Sequence, residues 1–272
     1  MTSIYRFVRS GLLVAACLSV DAAAAAPAPV AGPPSCRELE QRFDPIKAEA
    51  TAAQLNLALF AAADSGCVPL ARRLLAAGAS LEARDRLGAM ALARAARAGH
   101  VALVELFLAQ GAAIDARNLT GATALYGAAE NERQATVALL LAKGADPNLP
   151  GRSGVTPLAA AAFKGNGRIV DQLIARGADP NVVDATGKAA ITYAAARGFA
   201  LVVRRLLDAG APIDAADNRG RTALMMAAEI GDAAVVEGLL GRGADPMIAD
   251  KSGKRALDLA ANDGVRAKLA AR

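Results

Sequence analysis

The sequence predicts an all-α solenoid, in which short helix-turn-helix units are joined by β-hairpin-like loops and stacked side by side. Three observations carry that prediction. The words Gly144-Ala-Asp-Pro-Asn148 and Gly177-Ala-Asp-Pro-Asn181 stand 33 residues apart, and Gly243-Ala-Asp-Pro-Met247 lies two such steps further on. Two glycine columns keep the same step without insertion or deletion: Gly88, Gly121, Gly154, Gly187, Gly220, Gly253, and Gly78, Gly111, Gly144, Gly177, Gly210, Gly243. Between them run an aliphatic column (Leu92, Leu125, Leu158, Ile191, Leu224, Leu257) and, three residues on, an alanine pair in every unit. A fixed period of this length is the signature of a repeat architecture, not of one globular core.

The elements of one unit follow from its spacing. In residues 151–183, Leu158, Ala161 and Ala162 fall at i, i+3 and i+4, which is one face of a helix. Gly165 breaks that run, and Ile169, Val170, Leu173 and Ile174 resume it as a second helix. Gly177 then stands where a helix C-cap wants glycine, and the Asp-Pro-Asn after it cannot easily continue a helix. An extended, turn-rich connector leads from there to Asp184-Ala-Thr-Gly187, the tip of the next hairpin. The chain is 54% hydrophobic but only 3% aromatic, too poor in rings for one thick core. Stability must come from units lying against their neighbours, with alanine columns allowing close approach.

At these columns the residues resemble the ankyrin repeat, whose pattern is a hairpin, G-x-T-P-L-H-x-A-A, a G-H turn, a second helix ending L-L, then G-A-D. The matching stretches are Gly154-Val-Thr-Pro-Leu158, Gly121-Ala-Thr-Ala-Leu125, Gly220-Arg-Thr-Ala-Leu224 and Gly99-His100. The resemblance spans about residues 52–272 and implies an ankyrin-repeat solenoid. Two departures stand out. The family's first histidine is replaced by Ala93, Tyr126, Ala159, Thr192, Met225 and Asp258, and only Pro157 keeps the motif proline.

Seven units are expected: 52–84 as an N-terminal unit, complete units at 85–117, 118–150, 151–183, 184–216 and 217–249, and a truncated unit at 250–272 that stops inside its second helix. Residues 35–51 precede them as N-terminal capping helices. Ser35-Cys-Arg-Glu38 is a capping box, and Asp44-Pro45 is placed to start a second short helix.

Residues 1–24 have the layout of a secretory signal peptide: Arg6 and Arg9, then the apolar run Gly11 to Val20, then small residues fit for cleavage. The run is too short to span a bilayer. Residues 25–34 form a Pro/Ala-rich linker. A disordered tail and an organelle transit peptide are the competing readings. Val14-Ala-Ala-Cys17 resembles a lipoprotein cleavage box, so a membrane enters only if Cys17 is lipidated. The expected location is therefore exported, in the periplasm, with lipid-anchored and secreted forms left open. With Cys17 removed or lipidated, Cys36 and Cys67 remain, a candidate disulfide in an oxidising compartment.

The residues offer no catalytic, metal or cofactor site. His100, the one histidine, lies in the Gly-His turn, and no Cys/His cluster, phosphate-loop motif or carboxylate pair is present. We therefore expect no enzyme, no cofactor and no small-molecule substrate. A basic chain admits nucleic acid, but stacking aromatics are too scarce to support that partner. The expectation is non-enzymatic binding of another protein or peptide.

In ankyrin proteins the contacts usually come from hairpin tips and the exposed, concave face of the first helices. Carried to this chain, the tips give Arg86, Arg152, Lys188, Arg219, Arg221, Lys251 and Lys254. The first-helix face gives Arg97, Glu130, Phe163, Arg197 and Glu229, with Tyr126 and Lys164 beside them. The three tip positions flanking each hairpin glycine carry no acidic residue in any of the six units, so the expected partner is acidic. The alternative to a periplasmic scaffold is a secreted or translocated effector binding host proteins through the same surface.

Overall fold

Each first helix begins where an extended residue turns into an apolar run. Thr123, Thr156 and Thr222 open three of them, their hydroxyls accepting from the amides of Tyr126 (3.2 Å), Ala159 (3.1 Å) and Met225 (3.4 Å). The second helix follows after a turn closed by a left-handed residue. At Gly165 (φ 75°) a Cβ would lie 2.7 Å from the Phe199 ring, so both the turn and the next unit's packing require glycine there. One unit departs from this: Glu132 holds the same position at φ 59°.

The computed structural model describes residues 34–44 and 49–271. Among them are fourteen α-helices and no β-strand. The expected signal peptide, Cys17 and linker residues 25–33 lie outside the described residues, as does 45–48, where the helix after Asp44 was expected.

The helices form two layers. First helices α2 (Ala52–Ser65), α4 (Ala91–Ala98), α6 (Ala124–Glu130), α8 (Pro157–Lys164), α10 (Ala190–Ala195) and α12 (Ala223–Ile230) make one row. Second helices α3 (Val68–Ala76), α5 (Val101–Ala109), α7 (Gln134–Ala142), α9 (Gly167–Ile174), α11 (Ala200–Asp208), α13 (Ala233–Gly241) and α14 (Asp263–Ala270) make the other. Each first helix packs on the second helix of its unit and each helix on its counterpart next door, α14 on α13 alone. The alanine pairs from Ala62-Ala63 to Ala227-Ala228 are fully enclosed. They are the contact between neighbouring first helices, where any larger side chain would push two units apart. In four of the six bulky pairs the two members differ: Leu74, Phe107, Leu140, Leu173, Leu206 and Leu239 are fully buried, while Leu75, Leu108, Ile174 and Leu207 are only half-buried and Leu141 and Leu240 are buried.

At the N-terminal end, α1 (Cys36–Phe43) starts at the Ser35/Glu38 capping box and buries Leu39 and Phe43 against α2 and α3. A disulfide joins Cys36 to Cys67, with Cα atoms 5.0 Å apart. Arg73 of α3 adds an ion pair with Asp44.

The last unit differs from its expected form. Its first helix is replaced by successive turns, in which Asp258, Leu259 and Ala260 donate to carbonyls three residues back. Arg255 occupies the column of Thr156 and Thr222 and offers no capping oxygen; instead, the Asp258 carboxylate accepts from its amide at 2.8 Å. Asn262 then caps α14 by accepting from Val265 at 2.9 Å. The second helix therefore begins three residues early relative to Ala233 of the preceding unit.

Candidate partner-binding surface

The hairpin tips are shaped by a column of short acceptors. Asp85, Asn118, Asp184, Asp217 and Asp250 each accept from backbone amides two and four residues on, at 2.7–3.0 Å. These side chains turn the backbone locally, which is the mechanism that favours Asp and Asn in such loops. Successive tips are also bonded to one another. The amides of Leu119, Ala185, Asn218 and Lys251 donate to the carbonyls of Leu87, Ser153, Thr186 and Arg219, at 2.9–3.0 Å.

The row of tips is interrupted between the third and fourth units. The equivalent bond from Arg152 to Thr120 is not made among the described residues. Here the acceptor column holds Gly151, and Ser153 takes a left-handed conformation with φ 56°. The Tyr126 ring fills the room a side chain at 151 would occupy: a Cβ there would come within 2.6 Å of its Cγ. Arg117 spans the interruption, its guanidinium donating to the carbonyls of Gly121 (2.9 Å) and Pro150 (3.1 Å).

Beside the interruption, three rings meet on the first-helix face. Tyr126, Phe163 and Tyr193 line one pocket of about 230 Å³ with Glu130, Val155, Ala160 and Lys164. Phe163 and Tyr193 are edge-to-face, with centroids 6.0 Å apart. Arg197 lies over the Phe163 ring at 4.9 Å and Lys188 over the Tyr193 ring at 5.6 Å. The Tyr193 hydroxyl donates to the buried Asp184 carboxylate, and the Tyr126 hydroxyl to Glu130 at 3.3 Å.

The electrostatics follow from those contacts. Burial raises the Tyr126 phenol, the Glu130 carboxylate adds to it, and the result is about 12. Burial and then Asp184 push Tyr193 up in the same direction. For Asp184 itself, burial acts upward, but hydrogen bonds from Tyr193, Thr186 and the Lys188 amide outweigh it and hold the carboxyl below its usual range. Asp85 shows the same balance, with the amides of Ala89 and Leu87 and the Arg94 guanidinium outweighing burial.

The surface lies on an array whose family is decided by sequence. The family model for ankyrin repeats, three copies, matches residues 59–150 and 158–250, well over half of the chain. The chain belongs to the ankyrin-repeat family. It is similar to the crystal structure of the human ASB11 ankyrin repeat domain, with a TM-score of 0.71 and 26% identity over 78% of this chain and 96% of that one. Among curated proteins, none matches by sequence.

Within the ankyrin array, the sequence-derived residues fall into three groups. Arg86, Arg152, Arg219, Lys251 and Lys254 are exposed at tips, with Lys188 half-buried; Arg97, Glu130, Phe163, Lys164, Arg197 and Glu229 are exposed on the first-helix side. Tyr126 is 6% exposed and acts as a wall, not as a projecting contact. Arg221 is an engaged cation: its guanidinium reaches Asp217 at 3.4 Å and Glu229 at 3.3 Å. The pair Arg221–Glu229 thus ties a tip to the face behind it.

Sequence reasoning missed Tyr193, Asp184 and the apolar tips Leu87 and Leu119. A signal for Tyr193 existed: its column otherwise reads Arg94, Gly127, Ala160, Met226 and Leu259. His100 serves the stack, its Nε2 within 2.9 Å of the Asp64 carbonyl and its ring against Gly66. Cys36, Glu40 and Cys67 are clustered as metal ligands would be, but the two sulfurs are bonded to each other and offer no thiolate.

Proposed function

We propose that this ankyrin array is an exported scaffold that binds an acidic protein through its hairpin tips and first-helix face, without catalysis. Ankyrin repeats generally mediate protein–protein interactions, and their fold is typically a non-enzymatic module. The observation that carries the acidic partner is the distribution of exposed cations. Arg152, Arg219, Lys251 and Lys254 project from tips of the fourth, sixth and seventh units, and no carboxylate stands among the tip residues flanking the hairpin glycines. Such a field speeds encounter with an acidic surface and disfavours basic competitors.

Export rests on the signal-like residues 1–24, and the Cys36–Cys67 bond fits an oxidising compartment such as the periplasm. The membrane is reached only through lipidation of Cys17.

Photo-crosslinking in cells tests both parts. A crosslinker at Arg152 or Arg219 should give an adduct with another protein, and one at Arg204, exposed on α11, should give none. Adducts from Arg204 alone, or equally from all three, overturn the surface. Recovery of the chain in the cytosolic fraction with both cysteines reduced overturns export.

A further inference from the structure

In a repeat protein every position has counterparts that show what the stack alone requires. Tyr126, Phe163 and Tyr193 break that rule together. They come from three different columns, and apart from Phe60 of the first unit, in the column of Tyr126, their counterparts are not aromatic. The chain holds only 6 phenylalanines and 3 tyrosines, yet three of these rings converge on one pocket. Phe163 keeps 41% of its surface exposed, an apolar area that the fold itself leaves uncovered. Around it, Gly151 and the unmade tip bond mark the same place as the least repeat-like part of the array.

The chemistry of the walls selects the guest. The floor is apolar, made by Val155 and Ala160. Arg197 and Lys188 already lie over the Phe163 and Tyr193 rings, so a guest cation would meet charges of its own sign where it would seek a ring. Lys164 on the rim adds a third positive group, against the carboxylates of Glu130 and of Asp184, the latter buried and engaged by the Tyr193 hydroxyl. A flat apolar guest suits the rings, and negative charge on either side of it suits the cations.

We propose that this pocket takes an aromatic side chain from an acidic segment of the partner, and so anchors that segment in register on the array. The proposal rests on the acidic-partner reading above and adds the anchor. A ring is the guest most able to act as such an anchor, since a few buried aromatic contacts carry most of the energy of an interface.

The test uses fluorescence anisotropy with three labelled synthetic peptides: phenylalanine between runs of glutamate, alanine between the same runs, and phenylalanine between runs of lysine. The glutamate–phenylalanine peptide should bind about tenfold tighter than its alanine counterpart. Phe163→Ala, an exposed change that leaves the core intact, should abolish that difference while sparing the alanine peptide. Arg219→Glu with Lys251→Glu should weaken both glutamate peptides alike. Equal binding of the phenylalanine and alanine peptides overturns the anchor but leaves the acidic reading standing. Equal binding of the lysine peptide overturns the acidic reading, and no binding of any peptide at millimolar concentration overturns both.

Discussion

The Tyr126 ring sits directly against the backbone of Gly151, one unit further along the chain, with no room for a Cβ between them. A Cβ at Gly151 would come within 2.6 Å of the ring, so the ring itself leaves no space for a side chain there. Gly151→Ala should therefore lower stability by about 1–3 kcal/mol, the usual range for overpacking. Tyr126→Ala in the same chain should relieve much of that loss. Denaturant unfolding of both single variants and the double variant gives the coupling, and additive losses would show that the two residues do not touch.

Tyr193 and Asp184 occupy the same two columns as Arg94 and Asp85, where a guanidinium donates to the carboxylate at 2.5 Å. The two solutions should respond differently to pH. Tyrosine in the unfolded chain ionises near pH 10, below the raised values of Tyr126 and Tyr193. Their contribution is whole below about pH 10 and is lost as pH rises through the folded values. Tyr193→Phe should thus lose stability less steeply in alkali than the wild type, as thermal melts across that range would show.

In acid the sign reverses. Asp184 and Asp85 are held below the ordinary carboxyl range, so their stabilisation is present above about pH 4 and is lost as pH falls through the folded values. Asp184→Asn should be less stable than wild type at neutral pH, and the gap should narrow on acidification. A gap that stays constant down to the acid limb would assign the loss to hydrogen-bond geometry alone.

Arg219 and Arg221 flank one glycine but should separate in behaviour. Arg221 partners Asp217, whose side chain is 3% exposed, so Arg221→Ala should cost about 1 kcal/mol of stability. Arg219 is exposed with no ion-pair partner among the described residues, and Arg219→Ala should leave stability within about 0.5 kcal/mol. Its loss should appear in the salt dependence of partner binding instead.

The Cys36–Cys67 bond closes a separation of 31 residues, and a chain-entropy estimate gives it about 3–4 kcal/mol. Replacing both cysteines with serine should lower the melting temperature and raise amide exchange first in α1. Exchange that stays slow throughout α1 would mean that Leu39 and Phe43 hold the helix unaided.

The stack was legible because its determinants recur: one glycine, leucine or alanine in the wrong column would have broken a visible period. The candidate site was less legible because it is made of exceptions. Asp85, Asp184, Asp217 and Asp250 are plainly periodic, yet their role in shaping the tips appears only once amides two and four residues on are in place. Tyr193 meets Phe163 across a unit boundary, which spacing within a unit cannot reveal. Arg221 reads as a free cation until Glu229 is seen eight residues away on the helix behind it. The early start of α14 was hidden because it depends on Asn262 accepting from the Val265 amide, a local bond that the period does not announce.

The gap between Thr120 and Arg152 divides the edge of the array into two bonded runs, although the helices behind it pack without a break. Deformation that splays one edge while keeping the helical rows in contact meets least resistance at that point. The rings of Tyr126, Phe163 and Tyr193 lie beside it, so a change in the array's curvature would be felt there first, as a widening or narrowing of the slot between them.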